Sequence, residues 1–300
     1  MNESGKRRLS LSWGAATDQG RVRTTNQDAM HTDSGLFAVA DGMGGHQGGE
    51  VAANIAVRTL SAAEHDSLEN FESAFVEANR VVHQTALTKP NLHGMGTTLT
   101  AIAVLGATDS RHFAIANVGD SRIYRFNGAE FEQLTLDHSY VAELVRREEI
   151  TEADAATHPY RNMLTRAIGV HSEVQVDSWR LTPKEGDRFI LCSDGLTNEL
   201  SDTELMKHLL QNPLASNAAK ALVRAANMHG GRDNTTVVVI NVNIENIEIK
   251  DSNGAPQTNE KQSNFLISDN KQTRFISKLF LRLKRTKGLD PSDRNNSEEP

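Results

Sequence analysis

The stretch at residues 40–46, Ala-Asp-Gly-Met-Gly-Gly-His, constrains the fold more than any other part of this sequence. It follows the apolar run at 36–40, whose length suits a buried strand, and it leads into a helical pattern that begins near Gly48. A carboxylate, Asp41, is therefore expected where a strand ends. The glycines around it remove side-chain bulk and would let the Gly42 carbonyl approach another group closely. One interpretation is that the carbonyl binds a cation. The alternative is a plain strand-to-helix turn that needs glycines for its backbone conformation.

Four more acidic residues lie beside predicted strands: Asp28, Asp120, Asp194 and Asp233. One acid in such a place is usually a turn former. The recurrence of acids at comparable positions favours a shared site instead. Carboxylates, a backbone carbonyl and waters are the hard oxygen ligands of magnesium or manganese, and the lack of clustered His or Cys argues against zinc. Two such ions about 3.5 to 4 Å apart could share Asp41 and activate a bridging water.

Apolar periodicity predicts helices and strands in separate blocks. Predicted strands cover residues 11–17, 36–40, 97–105, 111–118, 121–126, 130–134, 173–181, 188–193 and 235–242. The first two predicted helices are residues 48–62 and a segment around the stripe Phe71, Phe75, Ala78 and Val82. Two more are expected near the C-terminal end of the block, so strands in layers with helix pairs on the outside are predicted.

The last two predicted helices have recognisable start signals. Ser201 and Glu204 have the spacing of a capping box, which predicts a helix start. Pro213 is expected to open the next helix. The predicted buried face of that helix is Leu214, Ala218, Ala221 and Ala225.

The periodicity also divides the chain. Residues 137–170 break the strand pattern with a short helix and a charged loop, which predicts a surface excursion. Beyond about residue 245 the sequence becomes polar and loses periodicity. We therefore predict a folded domain at 1–245, a polar linker at 246–270 and a basic amphipathic tail at 271–300.

Composition limits the cellular setting. The single cysteine, Cys192, lies in an apolar run and excludes an internal disulfide, which favours a reducing compartment. Met1 to Ser10 contains no apolar signal region, and no run of about 18 apolar residues occurs, so neither export by such a signal nor a membrane span is expected. A cytoplasmic location follows. The net charge is -7, although residues 271–288 contain seven Lys or Arg and no acid, and this acidic body argues against a nucleic-acid-binding core.

The tail has a pattern of its own. A helix at about 272–286 would gather five apolar side chains on one face, namely Phe275, Ile276, Leu279, Phe280 and Leu283. Such a basic amphipathic segment suits an anionic membrane surface, here the inner membrane surface. An acidic partner, docking on the protein's own body, and disorder are the alternatives.

Six short motifs carry a resemblance to a known family. In chain order they are Arg23-x-x-Asn26-Gln27-Asp28, Asp41-Gly42-Met43-Gly44-Gly45-His46, Gly94-Met95-Gly96-Thr97-Thr98, Asn117-Val118-Gly119-Asp120-Ser121-Arg122, Ser193-Asp194-Gly195-Leu196 and Arg232-Asp233-Asn234. Together they resemble the bacterial form of the type 2C metal-dependent serine/threonine phosphatases, over about residues 10–243. Each motif alone is weak, but all six in this order are highly specific.

The resemblance implies an α+β fold, an antiparallel β-sandwich flanked by helix pairs in four layers (α-β-β-α), with a two-metal site at one edge. Asp41 would bridge two tightly bound Mn²⁺ or Mg²⁺ ions, and the Gly42 carbonyl would bind one of them. Asp194 and Asp233 would hold the other ion. Asp120 would help to bind a looser third ion.

The remaining roles also come from the resemblance. Asp28 would act on metal-bound water, and Arg23 would take the substrate phosphate, for which its planar fork is suited. Residues 137–170 would form the variable flap beside the cleft.

Two positions depart from the pattern of many relatives. Met43 stands where many eukaryotic relatives have a histidine that is proposed as the general acid, so the acid for the leaving oxygen is open. His46 is a candidate, with a capping or packing role as the alternative. Gln27 stands where some relatives have Glu, which we expect to tune metal affinity without removing the site.

The favoured function is hydrolysis of phosphoserine and phosphothreonine on proteins by metal-activated water. The implied partners are phosphorylated proteins and a cognate Ser/Thr kinase, with a core that is monomeric. Hydrolysis of small phosphoesters is one alternative, since the chemistry is shared. An inactive regulatory binding module is another, although a non-catalytic module has no need of Asp41, Asp194, Asp233 and Arg23 together.

Overall fold

The computed structural model of this chain describes residues 6–45, 47–105 and 112–247. The strands are β1 (Lys6–Asp18), β2 (Asp28–Thr32), β3 (Leu36–Met43), β4 (Gly96–Thr97), β5 (Leu99–Leu105), β6 (His112–Val118), β7 (Arg122–Phe126), β8 (Phe131–Gln133), β9 (Asp177–Leu181), β10 (Arg188–Cys192) and β11 (Thr235–Ile247). The helices are α1 (Gly48–Ala62), α2 (Leu68–Thr88), α3 (Tyr140–Arg146), α4 (Glu152–Thr157), α5 (Asp194–Thr197), α6 (Asp202–Gln211) and α7 (Ala215–His229), with a 3₁₀ turn at Pro90–Leu92.

These strands form two antiparallel sheets. One has the order β1-β11-β10-β7-β8, and the other has the order β2-β3-β5-β6-β9 with β4 paired to β3. The register of β1 and β11 places Lys6 opposite Ile247 and Asp18 opposite Thr235. The first and last described strands therefore pair along their whole length.

Three apolar layers connect the sheets and helices. The middle layer fills the space between the sheets with large side chains such as Phe37, Phe113 and Phe189. The rings of Phe113 and Phe189 meet edge to face with centroids 5.5 Å apart, an arrangement favoured by aromatic pairs. One outer layer packs α1 and α2 on the β3-β5-β6 side, and the other packs α5, α6 and α7 on the β10-β11 side. The predicted α+β fold with four layers is confirmed.

Several helices follow the sequence pattern closely. Helix α1 has the predicted bounds, and the predicted stripe of α2 is buried in full. The capping box is present at α6, where the amide of Ser201 donates to Glu204 Oε2 at 2.9 Å. At α6 the polar capping box was thus sufficient to locate the helix start, whereas α1 and α2 were located by their apolar stripes.

The predicted start of α7 was wrong in detail. The helix begins at Ala215, and Leu214 precedes it with its side chain 64% exposed. Of the predicted face, Ala218 and Ala225 are buried and Leu214 and Ala221 are not, whereas Ala219 and Leu222 are buried in addition. Strand β1 lies close to the first turn of this helix, since a methyl group on Gly14 would lie 2.2 Å from Ser216 Cα.

The strand that carries Asp41 is longer than the apolar run predicted. Strand β3 continues to Met43 because Gly42 and Met43 pair with Thr97 and Gly96 of β4. Asp41 therefore lies within a strand and not after its end. Strand β2 and helix α4 were not predicted, since their sequences are polar, and the strand predicted at 173–181 begins only at Asp177.

Some predictions concern residues outside the described ranges. These are the role of His46, most of the linker at 246–270, and the amphipathic tail at 271–300. Within the described ranges, no helix has the length and apolar character that a bilayer crossing requires.

Candidate metal centre

Five separate segments bring carboxylates to one edge of the sandwich. Asp28 begins β2 and lies opposite Asp41 in the register of β2 with β3. The other three come from the turn after β6, the start of α5 and the turn before β11; they are Asp120, Asp194 and Asp233. We call these five residues the acidic edge. Asp41 feels the charge of all four others, which together with burial hold its pKa well above the usual range.

Asp28 is held in the acidic edge by a hydrogen bond to one of its two carboxylate oxygens. Burial raises its pKa to about 7, and the charges of Asp194 and Asp233 add to the effect. One carboxylate oxygen, Oδ2, accepts a hydrogen bond from Ser193 Oγ at 2.8 Å. Ser193 Oγ in turn accepts the Thr236 amide at 2.9 Å, which fixes its direction. The other oxygen, Oδ1, is buried without a hydrogen-bond partner.

Backbone hydrogen bonds fix Asp41 from the side of β4 and β5. Its amide donates to Thr98 Oγ1 at 2.8 Å, and its carbonyl accepts from the Thr98 amide and from Thr97 Oγ1, both at 2.9 Å. Thr98 Oγ1 also contacts Ser121 Oγ at 2.7 Å, next to Asp120. The two hydroxyls therefore link the positions of Asp41 and Asp120.

Asp194 and Asp120 are also unusual acids. Burial, followed by the charge of Asp233, raises the pKa of Asp194. Asn198 Nδ2 donates to Asp194 Oδ2 at 3.1 Å, whereas Oδ1 is buried without a partner. Burial and the charges of Asp194 and Asp137 raise the pKa of Asp120 to about 8. Like charges in one desolvated place account for both directions.

Arg23 contacts the acidic edge through Asp233. Its Nη2 donates to Asp233 Oδ2 at 2.7 Å, and this hydrogen bond raises the pKa of the Arg23 guanidinium further. The Arg23 side chain is 54% exposed, so one face of the guanidinium is open to solvent. Asp233 Oδ1 accepts the amide of Asn234 at 2.8 Å. Arg23 is thus held at the border between the carboxylates and solvent.

Two glycines permit the close packing behind the site. A methyl group on Gly42 would lie 2.1 Å from the Gly49 carbonyl oxygen, so α1 could not approach β3 with any other residue there. A methyl group on Gly195 would lie 2.0 Å from the Asn234 carbonyl oxygen. The Gly42 amide donates to the Gln27 carbonyl at 3.2 Å, which joins the segment before Asp28 to β3.

The acidic edge fits divalent cations by three properties. Its donors are hard carboxylate oxygens, burial and like charge raise the pKa values of Asp28, Asp41, Asp120 and Asp194, and buried Oδ1 atoms of Asp28 and Asp194 lack partners. Across residues 6–45, 47–105 and 112–247, no three acidic, histidine or cysteine side chains already converge as closely as ligands around one ion. The carboxylates are gathered at one edge but are not closed around a single point.

The predicted flap is attached next to Asp120. Asp137 accepts a bidentate pair of hydrogen bonds from Arg122, from Nε to Oδ1 at 3.0 Å and from Nη2 to Oδ2 at 2.7 Å. The next residue, His138, accepts the Gly119 amide on Nδ1 at 3.1 Å and contacts Asp177 through Nε2 at 3.0 Å. Burial lowers the pKa of His138, so the neutral ring that can accept on Nδ1 is favoured.

The structure brings together all of the acids that the sequence singled out, with Arg23 beside Asp233. Sequence reasoning gave no role to three polar residues that hold them, namely Ser193, Thr98 and Asn234. Each belongs to a motif quoted above, so a signal was present. These residues belong to a hydrogen-bond network that joins distant parts of the chain; Thr17 and Thr236, for example, are 219 residues apart. Pairs so far apart leave no local pattern in the sequence.

Comparison with known proteins places this arrangement in a family. The model of the Protein phosphatase 2C family matches residues 18–228. A serine/threonine phosphatase, stp, of Listeria monocytogenes is 40% identical over 238 residues, which cover 75% of this chain and 93% of the relative.

Solved structures agree. The Mycobacterium tuberculosis serine/threonine phosphatase PstP/Ppp superposes with a TM-score of 0.72 at 36% identity, covering 78% of this chain and 99% of that one. A catalytic domain of the serine/threonine phosphatase PstP in complex with two manganese ions superposes with a TM-score of 0.72 at 35% identity, over 78% and 99% of the two chains. The family model matches most of this chain, and these relatives are at least 35% identical over about three quarters of it, so this chain is a member of the protein phosphatase 2C family.

Proposed function

We propose that this protein hydrolyses phosphoserine and phosphothreonine esters on proteins, and that its acidic edge holds Mn²⁺ or Mg²⁺ for this reaction. One observation carries the proposal: five carboxylates from separate segments meet at one edge, beside a half-exposed arginine. The manganese-bound relative supports the choice of metal. The reaction opposes that of Ser/Thr kinases.

The donors divide between two tight positions and a looser one. Asp41 and the Gly42 carbonyl would hold one ion, and Asp41, Asp194 and Asp233 would hold the other. Asp120 serves a third ion. When bound, such ions supply positive charge for the phosphoryl oxygens and lower the pKa of water toward about 7.

Arg23 binds the phosphate of the substrate. Its guanidinium is planar and can pair with two phosphate oxygens at once. It is held by Asp233 on one side and is open to solvent on the other, so it needs no large movement to meet a phosphate. This fixed direction reduces the ordering that binding would otherwise require.

Asp28 holds or accepts a proton at Oδ1. Ser193 occupies Oδ2 with a hydrogen bond, which leaves Oδ1 as the oxygen that can meet a water. Burial raises the pKa of Asp28 to about 7 in the metal-free protein, and nearby dications would lower this pKa, so the ionised carboxylate is the form that would accept a proton. Ser193 and Thr236 keep this carboxylate in one orientation.

The two rival functions are disfavoured for different reasons. An inactive module would not need to keep five mutually repelling carboxylates, because they lower the stability of the fold. A hydrolase of small phosphoesters would share the chemistry but not the relatives, which are serine/threonine phosphatases by name. Protein substrates are therefore the better inference.

A two-substrate assay tests the function. The full chain, with and without manganese, is given para-nitrophenyl phosphate and a phosphothreonine peptide. We expect manganese-dependent cleavage of both, with higher kcat/KM for the peptide. Cleavage of neither substrate would leave the inactive module, and cleavage of para-nitrophenyl phosphate alone would favour small phosphoesters.

The proposal also covers the partners of the protein and its location in the cell. A cognate Ser/Thr kinase, a monomeric core and a cytoplasmic location are inferred from the family. We further propose that the basic residues at 271–287 bring the protein to an anionic surface. Flotation with anionic vesicles at low and high salt tests this step, and a full-length protein that stays unbound at low salt would favour an acidic partner or self-docking.

A further inference from the structure

The segment that presents Arg23 is fixed from below by a single buried amide. Asn234 is 5% exposed, and its Nδ2 donates to the carbonyls of Gln19 and Thr25 at 2.9 and 2.8 Å. Its Oδ1 accepts the Gln27 amide at 2.8 Å. We call residues 19–27 the arginine loop. Three hydrogen bonds from one side chain hold both ends of this loop, which therefore has a defined shape although its outer surface is exposed.

The loop also lies directly against the backbone of the acidic edge. A methyl group on Gly20, whose φ is +82°, would come within 2.4 Å of the Asp233 carbonyl oxygen. The Arg21 amide donates to the Gly231 carbonyl at 2.6 Å, and a methyl group on Gly231 would lie 2.9 Å from Arg21 Cγ. The stem of Arg21 therefore packs over Gly231, two residues from Asp233.

Three arginines meet at this rim, and they differ in their partners. Arg23 pairs with Asp233 at 2.7 Å, and Arg232 pairs with Glu199 at 2.8 Å. The guanidinium of Arg21 has no ion pair or hydrogen bond with any residue that the structure describes. Arg21 and its neighbour Val22 are both exposed, Val22 to 66%. An exposed apolar side chain and an unpaired cation on a loop of fixed shape are typical of a recognition surface.

The spacing sets what Arg21 can reach. Two residues apart, the Cα atoms of Arg21 and Arg23 are separated by at most about 7 Å. In an extended substrate, residues one or two positions from the phosphorylated one lie within the same about 7 Å. A phosphate on Arg23 would thus place a neighbouring substrate side chain near Arg21.

We propose that Arg21 is a specificity-determining residue that selects phosphoprotein segments with an Asp or Glu within two positions of the phosphorylated residue. The inference rests on the proposed function and adds the class of substrate to it. A carboxylate of the substrate would supply the partner that Arg21 lacks. The whole protein has a net charge of -7 and would repel an acidic segment. The pairing of Arg21 with the substrate carboxylate would offset this repulsion.

The test compares matched phosphothreonine peptides that carry Asp or Asn at one position, from two before to two after the phosphothreonine. The full chain is assayed with manganese as wild type, Arg21→Gln and Arg21→Lys. Arg58→Gln is the matched control, because Arg58 is an exposed arginine of α1 whose side chain likewise has no ion pair with the described residues. Para-nitrophenyl phosphate measures the basal activity of every variant.

For at least one position, the wild type should cleave the Asp peptide with kcat/KM about fivefold higher than the Asn peptide, through KM. This ratio should fall to about 1 in Arg21→Gln, remain in Arg21→Lys and Arg58→Gln, and shrink with added salt. Cleavage of para-nitrophenyl phosphate should be the same in all four proteins.

Two results would overturn the proposal, and they differ in what they say about the function. If Arg21→Gln keeps the ratio, or if the wild type has none while cleaving both peptides, Arg21 does not select acidic segments and the phosphatase function stands. If no phosphopeptide is cleaved while para-nitrophenyl phosphate is, the protein-phosphatase function fails along with the specificity.

Discussion

The acidic edge and the middle apolar layer contribute to stability with opposite signs. Between the sheets, side chains such as Phe113 and Phe189 are fully buried and pack edge to face. At the acidic edge, carboxyl groups are buried beside one another, and burial raises the pKa of Asp28 to about 7 and that of Asp120 to about 8. The comparison teaches that the sandwich serves as a stable frame which holds a locally unfavourable cluster of charge in place.

The largest expected effect comes from Asp194→Asn at the acidic edge. The change removes an anionic ligand, and we expect kcat/KM with manganese to fall by roughly 10³-fold, or about 4 kcal/mol of transition-state stabilisation. The fold should persist, because one source of repulsion is also removed. Kinetics together with calorimetric titration of manganese check this, with Asp202→Asn, an exposed aspartate of α6, as control.

A folded Asp194→Asn protein with full turnover would contradict the metal assignment. Asp233→Asn should behave in the same way, with one difference. It also removes the partner of Arg23, so its KM for a phosphopeptide should change more than that of Asp194→Asn.

The contribution of the middle apolar layer to stability is tested by Phe189→Ala. The ring is fully buried between the sheets, so its loss should lower the free energy of unfolding by about 3–5 kcal/mol. Activity per folded molecule should stay near the wild-type value at low temperature, because Phe189 does not contact the acidic edge. Urea unfolding and active-site titration measure the two quantities, and Phe75→Ala in the outer layer is the control.

The two regions also differed in how far the sequence predicted them. The apolar layers followed from local periodicity, as the buried stripe from Phe71 to Val82 illustrates. The acids were found because they recur beside strands, although the location of Asp41 within β3 depended on pairing with β4, about 55 residues away in the chain, where Gly42 meets Thr97. The supporting contacts of Asn234 could not be predicted, since they join residues more than 200 positions apart.

A pH experiment on the metal-free protein sharpens the comparison further. The folded-state pKa values of Asp28 and Asp120 lie above the ordinary value of 3.8, so between about pH 4 and 8 the folded state binds more protons than the unfolded state. Their contribution to stability is present at low pH and is lost as the pH rises through 7 to 8. With chelator present, we expect Asp120→Asn to become more stable relative to wild type as the pH rises, by about 1–3 kcal/mol in total between pH 5 and 8.

Stability must be compared between variants, because three partly or fully buried histidines change the stability with pH in the opposite direction. His65, His138 and His208 have lowered pKa values, so their contribution to stability is lost as the pH falls below about 6.5. These terms cancel between wild type and Asp120→Asn. A stability difference that does not change with pH would contradict the repulsion assigned to Asp120, and saturating manganese should shrink the difference.

The smallest effect is expected from Arg23→Ala. Arg23 lies where the acidic edge meets solvent. If Arg23 mainly binds the phosphate in the ground state, KM for a phosphopeptide should rise about tenfold while kcat falls less than about threefold. Arg23→Lys should give an intermediate KM, since it keeps the charge without the planar fork. Because Arg23 also neutralises Asp233, the alanine variant should in addition be less stable than wild type when metal is removed. An unchanged KM with a lower kcat would instead assign Arg23 to the transition state, where a phosphoryl group spreads its charge over more oxygens.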